Sequence, residues 1–181
     1  LTTNVDIHAT LADLFDIEVD HKTHGYSLLP LIDGSKDTIR DWALGGIFGN
    51  WVQIQDGRFK YARAPVDSNF PLSMWSNRWS TMPVPPLPNL RLPDPDHRAF
   101  LDYMPGSKIP VMRQPFAEGD LLPYWSLNAP INDHQLYDID NDPEENHNLS
   151  GEVIETQMLD MISSALTKLE APREQFKRLG L

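Results

Sequence analysis

The 181-residue chain contains no cysteine. Structural disulfides, thiolate metal sites and a cysteine nucleophile are therefore excluded within it. Basic residues are few: 15 Lys and Arg stand against 26 Asp and Glu, a formal net charge of -11. A protein that neutralises nucleic-acid phosphates needs clustered Lys and Arg, so a nucleic-acid partner is not expected. A locally basic site for a small anion stays open. No apolar run approaches the ~20 residues of a membrane-spanning helix, so no span is expected. The opening residues Leu1-Thr2-Thr3-Asn4 have neither the basic nor the apolar part of a signal peptide. They also lack an initiator Met, and natural sequence upstream is expected. There is no Gly-x-Ser-x-Gly elbow, no Gly-rich phosphate loop with its Lys, and no His-x-x-x-His pair. The histidines at 8, 21, 24, 97, 134 and 147 read as surface or structural groups.

What the chain does contain points to an α+β fold. Over residues 4 to 17, Val5, Ile7, Leu11, Leu14 and Phe15 recur near helical spacing. Thr3 is the expected N-cap, with Asp6 three residues on in a weak capping box. Five such side chains gain roughly 1.5–3 kcal/mol each when buried. That sum rivals the whole stability of a domain, about 5–15 kcal/mol, so the stripe needs a partner surface. Residues 24 to 34 read as a compact loop, where Pro30 argues against a central strand. Residues 42 to 48 read as a strand. Residues 51 to 63 read as a hairpin, because Val52-Gln53-Ile54-Gln55 alternates and Asp56-Gly57 is a two-residue turn signal. A last short strand is expected over 134 to 140. The final helix is expected over 152 to 170, with Pro172 beyond its end.

Residues 64 to 130 differ. They hold 13 of the 16 prolines, so regular structure should be scarce. They also hold Phe70, Trp75, Trp79, Phe100, Tyr103, Phe116, Tyr124 and Trp125, and disordered segments are poor in aromatics. A long ordered excursion on the domain surface is expected, with a short helix near Asp96–Tyr103. Its basic residues are Arg78, Arg91, Arg98, Lys108 and Arg113. Arg binds sulfate or phosphate through paired donors, and an aromatic ring can stack on a sugar. Trp75, Asn77, Arg78, Trp79 and Arg113 are the candidate substrate contacts. The alternative is a stapled surface loop with solvated charges.

The acidic turn Asp138-Ile139-Asp140-Asn141-Asp142-Pro143-Glu144-Glu145 first suggests calcium. An EF-hand loop from Asp138 needs Gly at its sixth position and Glu at its twelfth, which here are Pro143 and Leu149. A turn with Asp142 as N-cap and Pro143 as first residue fits better.

Three ordered motifs resemble the C-terminal region of the sulfatase family. Val5-Asp6-Ile7-His8-Ala9-Thr10-Leu11-Ala12-Asp13-Leu14 resembles V-D-[IL]-x-P-T-[IL]-x-x-L, with Ala9 in place of Pro. Gly25-Tyr26-Ser27-Leu28-Leu29-Pro30-Leu31-Ile32 resembles G-x-S-L-x-P-L-[LI]. Leu136-Tyr137-Asp138 through Asn148-Leu149 resembles L-Y-D-[LI]-x-x-D-P-x-E-x-x-N-L. Asp56-Gly57-Arg58-Phe59-Lys60-Tyr61 is similar to the family's D-G-x-x-K-[LY] strand.

The resemblance implies an alkaline-phosphatase-like α/β parent with a smaller C-terminal subdomain: an antiparallel sheet crossed by a long helix. Residues 1–20 would supply a helix of the main domain. Residues 40–63 and 131–181 would form the subdomain, and 64–130 a Pro- and aromatic-rich insertion. It also implies a divalent cation, calcium in most members, and a formylglycine matured from C-x-P-x-R or S-x-P-x-R. Neither motif occurs here, so no catalytic or metal residue carries over. The implied partners are an N-terminal catalytic domain of the same protein and, for the parent, a sulfate ester or sulfated carbohydrate. Two alternatives stand: the C-terminal portion of a phosphoesterase or phosphonate hydrolase, or a stand-alone carbohydrate-binding module using Trp75, Trp79 and Trp125.

Overall fold

A computed structural model describes residues 1–66, 69–77, 98–104, 107–120, 122 and 131–181. Within these, four helices and two small antiparallel sheets make an α+β fold. The first sheet has the order β1-β2-β3-β7, with β1 Ala43–Gly46, β2 Val52–Gln55, β3 Phe59–Arg63 and β7 Gln135–Asp138. The Asp56-Gly57 turn closes the expected hairpin. The Asp56 carboxylate accepts the Arg58 and Phe59 N–H groups, and Gly57 takes a φ of +105°, which favours glycine.

The register lines up one residue per strand in a row across the sheet. Leu44 faces Ile54, Ile54 faces Tyr61, and Tyr61 faces Leu136. Helix α3, Val153–Lys168, lies over this row. Its buried residues Met158, Ile162, Ala165 and Leu166 recur at helical spacing and form the main core with Ile54, Tyr61 and Leu136. Burying the large ones contributes roughly 1.5–3 kcal/mol each. The Tyr61 hydroxyl is not left alone in this core. It donates to Glu155 Oε1 at 2.7 Å and accepts from Arg63 Nη1 at 3.1 Å.

The excursion contains more regular structure than its prolines suggest. β4 (Leu72–Ser76), β5 (Phe100–Tyr103) and β6 (Pro110–Phe116) form a second sheet in the order β4-β6-β5. Residues 100 to 103 are therefore a strand, not the expected short helix; residues 96 and 97 lie outside the described residues. β6 tolerates its two prolines because of where they fall. Pro110 is the first residue of the strand, and Pro115 is opposite Ser73 but beyond the reach of β5. Leu72, Met74 and Phe116 form this sheet's own core, with Phe48, Phe70 and Leu122 against it.

A helix that the pattern of apolar residues does not announce joins the two sheets. α4, Arg173–Leu179, starts after Pro172, which serves as its N-cap rather than only as a stop. It presents buried Glu174 and Arg178 as well as Leu179. Glu174 Oε2 accepts from Ser73 Oγ of β4 and from Arg113 Nη2 of β6. Arg178 donates to the Asn50 carbonyl and to Asn69 Oδ1. Burial pulls the Arg178 guanidinium down to about 10, against the opposing charge of Glu174.

The N-terminal helix α1, Val5–Leu14, forms where expected, with Asn4 rather than Thr3 as its N-cap. Its orientation is inverted. Successive residues turn by about 100°, which puts Asp6, Ala9 and Thr10 on one side and Ile7, Leu11 and Leu14 on the other. The polar side packs inward: Asp6 is fully buried, while Ile7, Leu11 and Leu14 are about half exposed. The loop after it carries a one-turn helix, α2, Leu29–Ile32, with Pro30 in its first turn, where no N–H is required.

Candidate functional site

The first two sequence motifs meet at Asp6. Its Oδ2 accepts the Thr3 N–H at 2.7 Å and its Oδ1 accepts the Tyr26 N–H at 2.9 Å. Arg40 Nη2 donates to Oδ1 as well. The Asp6 carboxylate thus reaches back to the Thr3 backbone as in one half of a capping box, set one residue ahead of the Asn4 N-cap. The other half is not made, because the Thr3 hydroxyl is buried without a partner among the described residues. Thr10 continues the clasp one turn on. Its hydroxyl donates to the Asp6 carbonyl at 2.6 Å and accepts the Leu28 N–H at 2.9 Å. Burial alone would raise the Asp6 carboxyl. The Tyr26 and Thr3 N–H groups, with Arg40, outweigh it and hold Asp6 below the ordinary carboxylate range.

Gly25 is what allows the loop so close. A Cβ there would lie 2.2 Å from the Val5 carbonyl oxygen and 2.8 Å from its carbon. The Gly25→Ala chain is expected to lose about 1–3 kcal/mol, because backbone, not a flexible side chain, must move. A urea titration reads this as a lower midpoint. An unchanged midpoint would show that the loop does not hold the helix.

The hairpin and the acidic turn form a second joint. Lys60 Nζ pairs with Glu145 Oε1 at 2.6 Å. Arg58 reaches Asp138 Oδ2 through Nη2 at 2.6 Å and Nε at 3.1 Å. Asp142 accepts the N–H groups of Asn146 and His147. It organises the turn as an acceptor, and the Glu145 N–H bonds back to the Asp142 carbonyl across Pro143 in a single turn that does not continue as a helix. Asn148 then clamps β7. Its Oδ1 accepts the Leu136 N–H, its Nδ2 donates to the His134 carbonyl, and Leu149 N–H bonds back to Leu136.

The Arg58 hydrogen bonds, then those of Asn141, hold the Asp138 carboxyl down to about 2. The folded value lies below the unfolded one, so this pairing is fully present above about pH 4 and fades as pH falls toward 2. In Arg58→Gln the Asp138 midpoint is expected to climb toward the usual ~3.9. Carboxyl-carbon shifts followed by NMR against pH would show it. A midpoint that stays put would assign the depression to the turn alone.

The candidate substrate contacts divide in two. Arg78 and Trp79, with Trp125, lie outside the described residues. Trp75 and Arg113 are directly opposite across β4 and β6, and Phe100 of β5 is opposite Arg113 on the other side. The Arg113 guanidinium lies 5.0 Å from the Trp75 ring centre and 5.7 Å from that of Phe100. It also bonds Ser73 Oγ, Asp102 Oδ2 and Glu174 Oε2 at 3.1 to 3.2 Å. Two carboxylates therefore balance its charge. Asn77 is exposed just past the end of β4. Sequence reading missed Phe100, Asp102 and Glu174 as neighbours of Arg113. Strand pairing brings Phe100 and Asp102 to Arg113, and Glu174 reaches it from α4, 61 residues on; no local pattern announces the assembly.

The sequence contains neither C-x-P-x-R nor S-x-P-x-R, the motif from which the resemblance derives a formylglycine. Among the described residues, no group of three or more His, Asp or Glu is disposed to hold a metal ion. Three of the acidic turn's carboxylates are engaged: Asp138 with Arg58, Glu145 with Lys60, and Asp142 with backbone N–H groups. No step of chemistry is assigned through a cation or a formylglycine.

A concavity lies where the N-terminal segment meets the end of α3. It is a cleft of about 140 Å³ lined by His24, Tyr26, Ile39, Arg40, Asp41, Trp42, Lys168 and Leu169.

No family model and no curated protein matches the sequence. A solved structure from Bacteroides thetaiotaomicron is similar to this chain at 18% identity and a TM-score of 0.47. It is described under the metabolism of multiple glycosaminoglycans by a versatile core genetic locus and bears a "sulf" designation. The alignment covers 90% of this chain and 24% of that one, so this chain spans about a quarter of its length.

Proposed function

We propose that this chain is the C-terminal portion of a sulfuric ester hydrolase, a structural cap on a catalytic domain encoded upstream. The observation that carries the reading is the inverted α1. A helix whose polar side is clasped by its own loop, and whose Ile7, Leu11 and Leu14 face outward, needs a second apolar body. The upstream catalytic domain is that body. It holds the nucleophile and the divalent cation, and residues of the second sheet shape access to its substrate.

The sulfatase-like motifs support the same assignment. Each forms a joint of the scaffold: Asp6, Thr10 and Gly25 clasp α1, while Lys60, Asp138, Asp142 and Asn148 tie the acidic turn to the sheet. None of them offers a reacting group.

The purified 181-residue chain is expected to leave a chromogenic aryl sulfate intact. The protein extended upstream is expected to hydrolyse it and to carry C-x-P-x-R or S-x-P-x-R. Turnover by the short chain, or an upstream sequence with neither motif, would refute the proposal. A phosphate monoester turned over in preference to the sulfate would move the parent to the phosphoesterases.

A further inference from the structure

We infer that His134 is a pH-sensitive latch at the neck of the 64–130 excursion, closed while its imidazole is neutral and opened when the ring takes a second proton. Only residues of this chain are involved, and the parent's reaction plays no part.

The chain leaves the first sheet at the end of β3 and rejoins it at the start of β7. The ladder between these strands runs from Phe59 opposite Asp138 to Ala62 opposite Gln135. Beyond that pair a side chain takes over: the Ala64 N–H donates to His134 Nδ1 at 3.2 Å. Ala64 is fully buried, so this N–H has no water to fall back on. Nδ1 accepts only with its lone pair free, which puts the ring's single proton on Nε2. The neck's other anchors lead elsewhere. The Val66 N–H bonds the Arg178 carbonyl of α4 at 2.8 Å, and the Ile131 N–H bonds Asn50 Oδ1 between β1 and β2 at 3.4 Å. The imidazole joins the departing strand to the returning one.

A second proton fills the Nδ1 lone pair and sets two donors face to face at a buried position. It also puts a cation beside Arg63. That guanidinium is tied down, because Nε donates to the Leu179 carbonyl at 2.8 Å and Nη1 to the Tyr61 hydroxyl at 3.1 Å. Among the described residues, the titratable and charged groups that face His134 are Tyr61 and Arg63 from β3, Glu155 from α3 and Asp133 beside it. Glu155 and Asp133 favour the proton. Glu155 is already shared among the Tyr61 hydroxyl, the Ser150 hydroxyl and the Gly151 N–H, and Asp133 is exposed. Burial first, and then Arg63, outweigh them and hold the imidazole below the ordinary histidine value. The neutral ring's contribution is therefore complete above the unfolded midpoint of about 6.5 and is lost as pH falls through the folded one.

The test is NMR on the 181-residue chain. Ring-nitrogen shifts are expected to show Nδ1 without a proton at neutral pH. Amide exchange, corrected for its intrinsic pH dependence, is expected to show Ala64 losing protection about tenfold or more as pH falls through the His134 midpoint, the consequence of one buried donor left unpaired. The Ile162 amide, in the main core, is expected to keep its protection over the same range. His134→Asn keeps an acceptor near the Nδ1 position and does not titrate, so Ala64 protection is expected to stay level in that chain. A proton on Nδ1 at neutral pH would overturn the inference. So would Ala64 protection that ignores the His134 midpoint, a loss shared equally by Ile162, or the same fall in His134→Asn. The wild-type readings decide by themselves if the variant does not fold.

Discussion

Asp6→Asn is expected to remove about 3–5 kcal/mol of stability, the cost of breaking one side of a buried ion pair. Asp6 is fully buried and the side chain of Arg40 is 7% exposed, so neither charge can turn to water when its partner is lost. The substitution leaves the guanidinium beside an amide. It also exchanges one carboxylate acceptor for an NH2 group that faces the Thr3 or the Tyr26 N–H. The measurement is a urea denaturation at neutral pH, with the midpoint falling and the slope unchanged. Lowering the pH should mimic the variant. The folded carboxyl sits below its unfolded value, so its contribution is complete above about pH 4 and disappears as pH drops through the folded value. Wild type and Asp6→Asn should therefore converge in acid. Curves that stay parallel down to the acid limb would show that the pair contributes little.

That clasp was only partly legible in the sequence. Helical spacing located α1, and the Asp-Gly turn located the hairpin, because both signals are local and periodic. Asp6 stood out as a weak capping residue and as the acid of the first sulfatase-like motif, with nothing to show that it is buried. Its other partners, Tyr26 and Arg40, lie 20 and 34 residues on, and a polar residue inside an apolar stripe gives no hint that the stripe faces outward. The second sheet was hidden for another reason. Pro110 and Pro115 argue against a central strand until the register shows that each sits where an N–H is dispensable. α4 escaped notice because its inward residues include Glu174 and Arg178, which a search for apolar periodicity discards. The Arg113 cluster is an assembly of three strands and one helix, and only the fold brings its members together.

The inverted helix makes a second, opposite pair of outcomes. Ile162→Ala is expected to cost about 2–5 kcal/mol, since Ile162 is completely buried in the core between α3 and the first sheet and its removal leaves a cavity. Leu11→Asp is expected to cost only about 1 kcal/mol, because Leu11 is 48% exposed and has only about half of its side chain buried. In an ordinary amphipathic helix the second substitution would be the more damaging, for it puts a charge in the middle of the apolar stripe. Here the stripe faces solvent, so the added charge should lower the tendency of the isolated chain to associate. Urea denaturation reads the first effect, and sedimentation of the two proteins at matched concentration reads the second. In the protein extended upstream the ranking changes. If the catalytic domain covers Ile7, Leu11 and Leu14, Leu11→Asp places a charge in a buried interface and should destabilise by an amount comparable to Ile162→Ala. A substitution mild in the short chain and damaging in the long one would locate the interface on this face of α1. An equally mild effect in both would place it elsewhere.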